Sequence, residues 1–173
     1  MEMTPRQRWL ALLDRQPVDR IPTDYQATHE VTERLLRELD CASEDALWRK
    51  LHIDKRKYVE SRWRLPHHPD DPQADMWGVR YQRMDYGSGA YDEPAHCPLA
   101  AAETVADVHA HRWPDPDDFD YDAIARTLDA DDGYWPIHSC CYEPFLLYGY
   151  LRGLERSFED LVLRPELADA ILG

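Results

Sequence analysis

The chain has 173 residues, with 20 basic and 34 acidic side chains and a formal net charge of −14. A chain this acidic repels nucleic-acid phosphates, so we expect no nucleic-acid partner. No apolar run approaches the ~20 residues that cross a bilayer, and charged residues interrupt the first turns. The four cysteines form no Cys-x-x-Cys pair. These features predict a reduced, cytoplasmic protein with no membrane partner.

Helix signals dominate the start of the chain. The segment Thr4–Gln7 combines a capping box with a proline in the first turn, which predicts a helix start. Trp9, Leu12 and Leu13 then fall on one face, so we expect this face to pack on a core. Cap residues and apolar spacing predict two further helices, at residues 28–39 and 44–51.

Three segments have strand character. Ile21–Ala27 is short and ends in polar residues, Lys57–Trp63 alternates, and Tyr134–Ile137 is a short apolar run. Helices separate these segments, and this order favours a parallel sheet with right-handed crossovers.

A hairpin is predicted between the second and third of these strands. Trp77–Met84 and Ala90–His96 flank the glycine-bearing turn Asp85–Gly89, so an excursion covers about residues 76–97. The remaining helices are predicted at residues 104–110, 121–128, 143–153 with a bend at Gly153, 154–163 and 165–172.

The segment from Tyr134 to Glu155 contains a strand, a polar turn and a helix that starts at Pro144. Its sequence from Glu143, Glu-Pro-Phe-Leu-x-Tyr-x-Tyr-Leu-Arg-Gly-Leu-Glu, resembles the third β/α unit of the uroporphyrinogen decarboxylase superfamily. That superfamily includes the heme-pathway decarboxylase and corrinoid-linked methyltransferases. Pro17–Pro22 and Asp75–Tyr81 are similar to the same family, in the same order.

The resemblance implies an α/β fold. It predicts a partial (β/α)8 TIM barrel with about three parallel strands, N-terminal helices and an inserted β-hairpin. Because a complete barrel typically needs ~250 residues, residues 1–173 are expected to form the amino-terminal part of such a barrel. We expect this part alone to be inactive.

The implied activity is corrinoid- or thiol-linked methyl transfer in the full-length form. The decarboxylase branch is less similar, because its arginine-rich segment corresponds to Thr23–Thr28, which contains no arginine, and its pyrrole-binding aspartate corresponds to Glu60–Arg62. Two alternatives stay open: uroporphyrinogen decarboxylation, and a non-catalytic half-barrel that self-associates through open sheet edges. The expected ligand is a small molecule, a tetrapyrrole or a corrinoid.

Two residues are candidates for catalysis. Tyr150 matches the family's active-site tyrosine. Glu143 stands at the carboxyl end of the third strand, where a general acid or base is found, although a carboxylate at a helix start is also favoured by the helix dipole. The candidates for substrate binding stand in or near the strand ends: Asp24, Tyr25, His29, Arg62, His138 and Tyr142.

No cofactor is expected within this chain, although zinc and a corrinoid would serve a full-length methyltransferase. His138, Cys140 and Cys141 form a local cluster of potential zinc ligands. Strand alternation places at most two of them on one side, so a zinc site needs distant partners. The alternative is that the thiols pack in the interior. His67 and His68, in a proline-rich loop, are expected to be solvated.

Overall fold

The computed structural model describes residues 2–139 and 143–173, which combine helices with short strands. The helices are Pro5–Leu13 (α1), His29–Glu38 (α2), Glu44–Lys50 (α3), Val105–Ala110 (α4), Asp122–Asp129 (α5), Pro144–Arg152 (α6), Leu154–Leu163 (α7) and Pro165–Leu172 (α8). The strands are Lys57–Val59 (β1), Arg62–Trp63 (β2), Arg80–Asp85 (β3), Ala90–His96 (β4), Phe119–Asp120 (β5) and Ile137–Ser139 (β6). The fold is therefore mixed α/β.

The helix starts follow local capping chemistry. Thr4 Oγ1 accepts a hydrogen bond from the Gln7 amide at 3.2 Å, and Gln7 Oε1 accepts one from the Thr4 amide at 3.0 Å. Thr104 and Asp107 form the same reciprocal box at the start of α4. Each box satisfies amides that have no partner inside the helix. The helices predicted at these positions are confirmed.

The parallel pairing of the second and third predicted strands is confirmed in part. β1 pairs in parallel with β6, with Tyr58 opposite His138. β6 begins at Ile137 rather than at Tyr134, because an acidic turn continues further. In that turn the side chains of Asp131 and Asp132 accept hydrogen bonds from the amides of the residues two positions on.

Two strand predictions are wrong in detail. Ile21–Ala27 forms no strand, because the backbone of Thr23 is hydrogen-bonded to Asp54. The Thr23 amide donates a hydrogen bond to the Asp54 carboxylate at 2.9 Å, and the Asp54 amide donates one to the Thr23 carbonyl at 2.8 Å. The segment Lys57–Trp63 is split between β1 and β2, and β2 pairs antiparallel with β5. The described residues therefore contain one parallel pair of strands instead of about three parallel strands.

The predicted hairpin is present. β3 and β4 pair antiparallel, with a register irregularity between Arg80 and Tyr81. The Tyr86 amide donates to the Gly89 carbonyl at 3.0 Å and closes the turn. Gly87 has a φ of 87°, a backbone conformation that residues with a side chain rarely adopt.

The chain divides into two units. Unit 1 comprises Met1–Ser61 and Tyr121–Cys140, and unit 2 comprises Arg62–Asp120 and Cys141–Gly173. The interior of unit 1 contains Trp48 and Trp135, whose rings meet edge to face at 5.4 Å. The core of unit 2 is a cluster of buried apolar side chains from Val79, Leu99, Ala102, Val108, Leu151 and Leu167.

Helix α1 does not bury the face that its sequence predicts. Leu12 and Leu13 are exposed, and Trp9 is half-buried. Arg8 is buried instead, since its guanidinium makes two hydrogen bonds to Asp19, at 2.6 and 2.9 Å, and another to the fully buried Asp54. These ion pairs satisfy the buried charge, which would otherwise be costly. The hydrogen bond from Arg8 also holds the pKa of Asp19 well below its usual range.

Unit 2 has its own buried ion pair. Arg152 Nε donates to Asp160 Oδ2 at 2.6 Å, and both side chains are fully buried. Arg152 also donates to the Leu99 carbonyl, and Tyr148 donates to Asp160. Burial alone would raise the pKa of Asp160, but the hydrogen bond and charge of Arg152 lower it. This network joins α6, α7 and the segment around Leu99.

Candidate functional site

A cavity of about 210 Å³ lies within unit 2. One wall is the outer face of α6 and the other is the segment that leads into β3. Its lining consists of aliphatic side chains, aromatic rings and two carboxylates: Asp75, Met76, Trp77, Tyr81, Glu143, Leu146, Leu147 and Tyr150.

The two residues predicted to be catalytic both line this cavity. Glu143 is the residue just before α6, and its side chain makes no capping hydrogen bond. Tyr150 follows about two helical turns later, so both side chains lie on one side of the helix. Glu143 is exposed and Tyr150 is half-buried. An exposed carboxylate therefore faces the same space as a partly buried phenol.

The opposite wall is held in place by Asp75. Its Oδ1 accepts hydrogen bonds from the amides of Trp77 and Val79, both at 2.9 Å, and its Oδ2 accepts from the Tyr81 hydroxyl at 2.9 Å. The Tyr81 ring meets the Tyr150 ring edge to face at a centroid distance of 6.3 Å. Asp75–Tyr81 resembles a segment of the superfamily, but none of its residues was predicted to belong to the site.

This lining favours a particular kind of ligand. The described residues around the cavity include two carboxylates and no lysine, arginine or histidine. Pockets for drug-sized molecules usually enclose ~300–1,000 Å³, so a volume of about 210 Å³ suits a smaller molecule. The aromatic rings would hold its apolar part, and Glu143 can accept or donate a proton.

Two residues predicted to bind substrate are engaged within unit 1. The Asp24 carboxylate pairs with Arg56 at 2.8 Å and with Lys55 at 3.6 Å. Burial acts to raise the pKa of Asp24, but the hydrogen bond from Arg56 and the nearby charges lower it. Tyr25 shares a hydrogen bond with Thr32 at 2.9 Å. Both side chains thus stabilise the loop that follows α1.

The other predicted substrate contacts are dispersed. His29 is exposed at the start of α2, with Nε2 3.1 Å from a Glu33 carboxylate oxygen. Arg62 is exposed on β2, opposite Asp120. His138 lies on β6, with Nδ1 3.2 Å from the Ser139 carbonyl oxygen. Tyr142 lies outside the described residues. Of the described candidates, Glu143 and Tyr150 are the pair that the structure brings to one cavity.

The described residues do not form a metal site. Within residues 2–139 and 143–173, no three His, Cys, Asp or Glu side chains are grouped so that they could hold a metal ion. Cys140 and Cys141, the predicted thiol ligands, lie outside these residues. The prediction for His68 is wrong: its side chain is buried, and its Nδ1 accepts a hydrogen bond from the Asp70 amide at 3.2 Å.

No helix in the described part of the chain is long and apolar enough to cross a membrane. Comparison of the chain with models of known protein families, with curated proteins and with solved structures finds no match. The resemblance to the uroporphyrinogen decarboxylase superfamily therefore depends on three sequence stretches. Two of them, Asp75–Tyr81 and Glu143–Glu155, contribute the opposite walls of the cavity, and Pro17–Pro22 contributes Asp19, which pairs with the buried Arg8.

Proposed function

We propose that this chain is the amino-terminal part of a uroporphyrinogen decarboxylase-like barrel and that it acts in methyl transfer. In this proposal the unit 2 cavity holds the methyl acceptor, a small thiol. The supporting observation is that Glu143 and Tyr150 line one small cavity together with Asp75–Tyr81. The parallel pair β1 and β6 would be two neighbouring strands of the barrel.

The side chains of this cavity can prepare a thiol for methylation. Glu143 accepts the proton from sulfur, and the thiolate then forms the new bond to the methyl group. The bond between the methyl group and its donor breaks, and the electron pair of that bond leaves with the donor. Trp77 and Tyr150 hold the apolar part of the thiol and exclude water. In the full-length form a corrinoid would supply the methyl group, as the resemblance implies.

The charge of the cavity favours methyl transfer over tetrapyrrole decarboxylation. A tetrapyrrole substrate carries several carboxylates, and arginine side chains bind such groups best. Asp75 and Glu143 would repel them instead. A thiol that carries a positive charge, in contrast, would be attracted.

Binding of three small thiols tests this proposal. We expect cysteamine, which is cationic, to bind more tightly than neutral 2-mercaptoethanol, and 3-mercaptopropanoate to bind least. The measurement is a titration followed by ¹H–¹⁵N NMR, with the Trp77 indole signal as the reporter. Glu143→Gln should reduce the preference for cysteamine by about threefold, the size of a partly exposed charge interaction.

Glu159→Gln is the matched control, because Glu159 is an exposed carboxylate on α7 that does not line the cavity. It should leave the order and the affinities of the three thiols unchanged. The proposal is contradicted if saturating cysteamine leaves the Trp77 signal unmoved, or if Glu143→Gln and Glu159→Gln behave alike.

A separate observation favours self-association. Leu154, Phe158, Leu161 and Val162 are exposed on α7, and their spacing places them along one side of that helix. We therefore propose that α7 packs against a second copy of the chain.

A further inference from the structure

Unit 1 contains a larger cavity, of about 530 Å³, which the proposed methyl transfer does not use. It lies against one face of α1, with the end of α5 and the start of β6 as its other sides. Its volume is within the ~300–1,000 Å³ that is usual for small-molecule sites. It is therefore large enough for one organic molecule.

Part of the wall of this cavity is apolar and exposed to solvent. Leu10, Leu13 and Leu128 all line it, with 51%, 73% and 47% of their surfaces accessible. Exposed leucines around a concave surface are unfavourable in water, and an apolar ligand would cover them. Ligand binding would therefore bury the α1 leucines that the fold leaves exposed.

Arg56 gives the cavity a binding group for an anion. The Arg56 guanidinium lies over the Trp9 ring, 5.2 Å from its centroid, and its Nη2 pairs with Asp24. The Trp9 indole is fixed by a hydrogen bond of 2.8 Å to the Asp54 carbonyl. Arg6 also lines the cavity, but its Nη1 pairs with Asp131 at 3.3 Å. A guanidinium has five N–H donors, so one ion pair does not exhaust its capacity.

We propose that this cavity binds a small molecule with an aromatic or aliphatic body and a single carboxylate or sulfonate group. Arg56 binds the anion, and Trp9 and the leucines hold the apolar body. A single negative charge is specified because Asp131 also lines the cavity and Asp24 pairs with Arg56, so a polyanion would be repelled. All of these residues belong to unit 1, and binding at this cavity is independent of the activity proposed for unit 2.

The test compares two probes of the same shape, 2-naphthoate and neutral 2-naphthamide, by titration calorimetry and by the NMR shift of the Trp9 indole. We expect 2-naphthoate to bind more tightly. Arg56→Gln should weaken 2-naphthoate binding about tenfold, the usual effect of a lost hydrogen bond to a charged group, and leave 2-naphthamide unchanged. Leu13→Ser should weaken the binding of both probes.

Arg83→Gln, at an exposed arginine on the hairpin that pairs with Asp92, is the matched control and should change neither affinity. If Arg56→Gln does not fold, Arg56→Lys retains the charge and should retain part of the preference for 2-naphthoate. The proposal is overturned if both probes bind equally, or if the Trp9 signal does not move. It is also overturned if Leu13→Ser abolishes self-association in sedimentation, because a second copy of the chain would then cover the leucines of the cavity.

Discussion

Asp160 is a single residue on which much of the stability of unit 2 depends. It is fully buried and pairs with the equally buried Arg152, while Arg164 Nε lies 3.0 Å from its other oxygen. We predict that Asp160→Asn lowers the free energy of unfolding by about 3–5 kcal/mol, because it leaves a buried guanidinium without its counter-charge. Urea denaturation measures this. Asp169→Asn, at an exposed site on α8, should cost less than about 0.5 kcal/mol, and a similar loss in both variants would contradict the prediction.

Tyr148 gives the same network a pH dependence. Burial, together with the charge of Asp160, raises the pKa of Tyr148 from 10.0 to about 12. The folded state thus holds the phenol proton more tightly than the unfolded state, so its contribution to stability is complete below pH 10 and is lost as the pH rises to about 12. Tyr148→Phe lacks this contribution. The difference in unfolding free energy between the wild type and Tyr148→Phe should therefore shrink between pH 10 and 12, and a constant difference would contradict this account.

Gly149, inside α6, and Gly153, between α6 and α7, are expected to respond differently to substitution by alanine, because their backbone conformations differ. Gly153 has a φ of 88°, and a methyl group there would meet no atom within 4 Å. Gly153→Ala should therefore destabilise the fold by about 1–2 kcal/mol through the backbone alone. Gly149 lies inside α6, where an added methyl group would make an ordinary contact with Leu154 at 3.4 Å.

Gly149→Ala is the paired variant, and it should be neutral or stabilising by up to about 1 kcal/mol, because alanine favours a helix interior. Chemical denaturation of the two variants under one set of conditions checks both signs. If Gly149→Ala lowers the free energy of unfolding as much as Gly153→Ala does, this prediction is contradicted. Packing, rather than backbone conformation, would then determine the effect of both substitutions.

The elements that depend on local chemistry could be predicted from the sequence. The capping box of Thr4 and Gln7 and the glycine turn of the hairpin act over a few residues, so their signals are complete in the sequence. The segment Ile21–Ala27 differs, because a strand requires a partner that lies far away in sequence. Here Asp54, rather than a neighbouring strand, forms the hydrogen bonds to the Thr23 backbone, and no local sequence pattern predicts these bonds.

The same distinction applies to the candidate site. Glu143 and Tyr150 could be placed together because helix geometry relates them directly. The wall formed by Asp75, Trp77 and Tyr81 could not, since it comes from a segment more than 60 residues earlier in the chain. In the unit 1 cavity the sequence predicted His138 as a substrate-binding residue but missed the α1 leucines, because they were expected to be buried, as their spacing usually indicates.

At the scale of the whole molecule, the central prediction concerns self-association. Val162 on α7 is 79% exposed, and we expect Val162→Glu to shift the chain towards the monomer, because a charge would be buried in the proposed contact. Ile21→Glu is the matched control, since Ile21 is 78% exposed and lies outside α7. Analytical ultracentrifugation over a range of concentrations measures the change. A wild-type chain that is monomeric throughout would contradict the proposal.

The proposal that the unit 2 cavity binds a small thiol is tested most directly by a crystal structure of the chain soaked with selenocysteamine, whose selenium atom is located by anomalous scattering. We predict an anomalous peak between Glu143 and Tyr150, beside Trp77. A peak at another place in the molecule, or an empty cavity at saturating ligand, would contradict the assignment of this site.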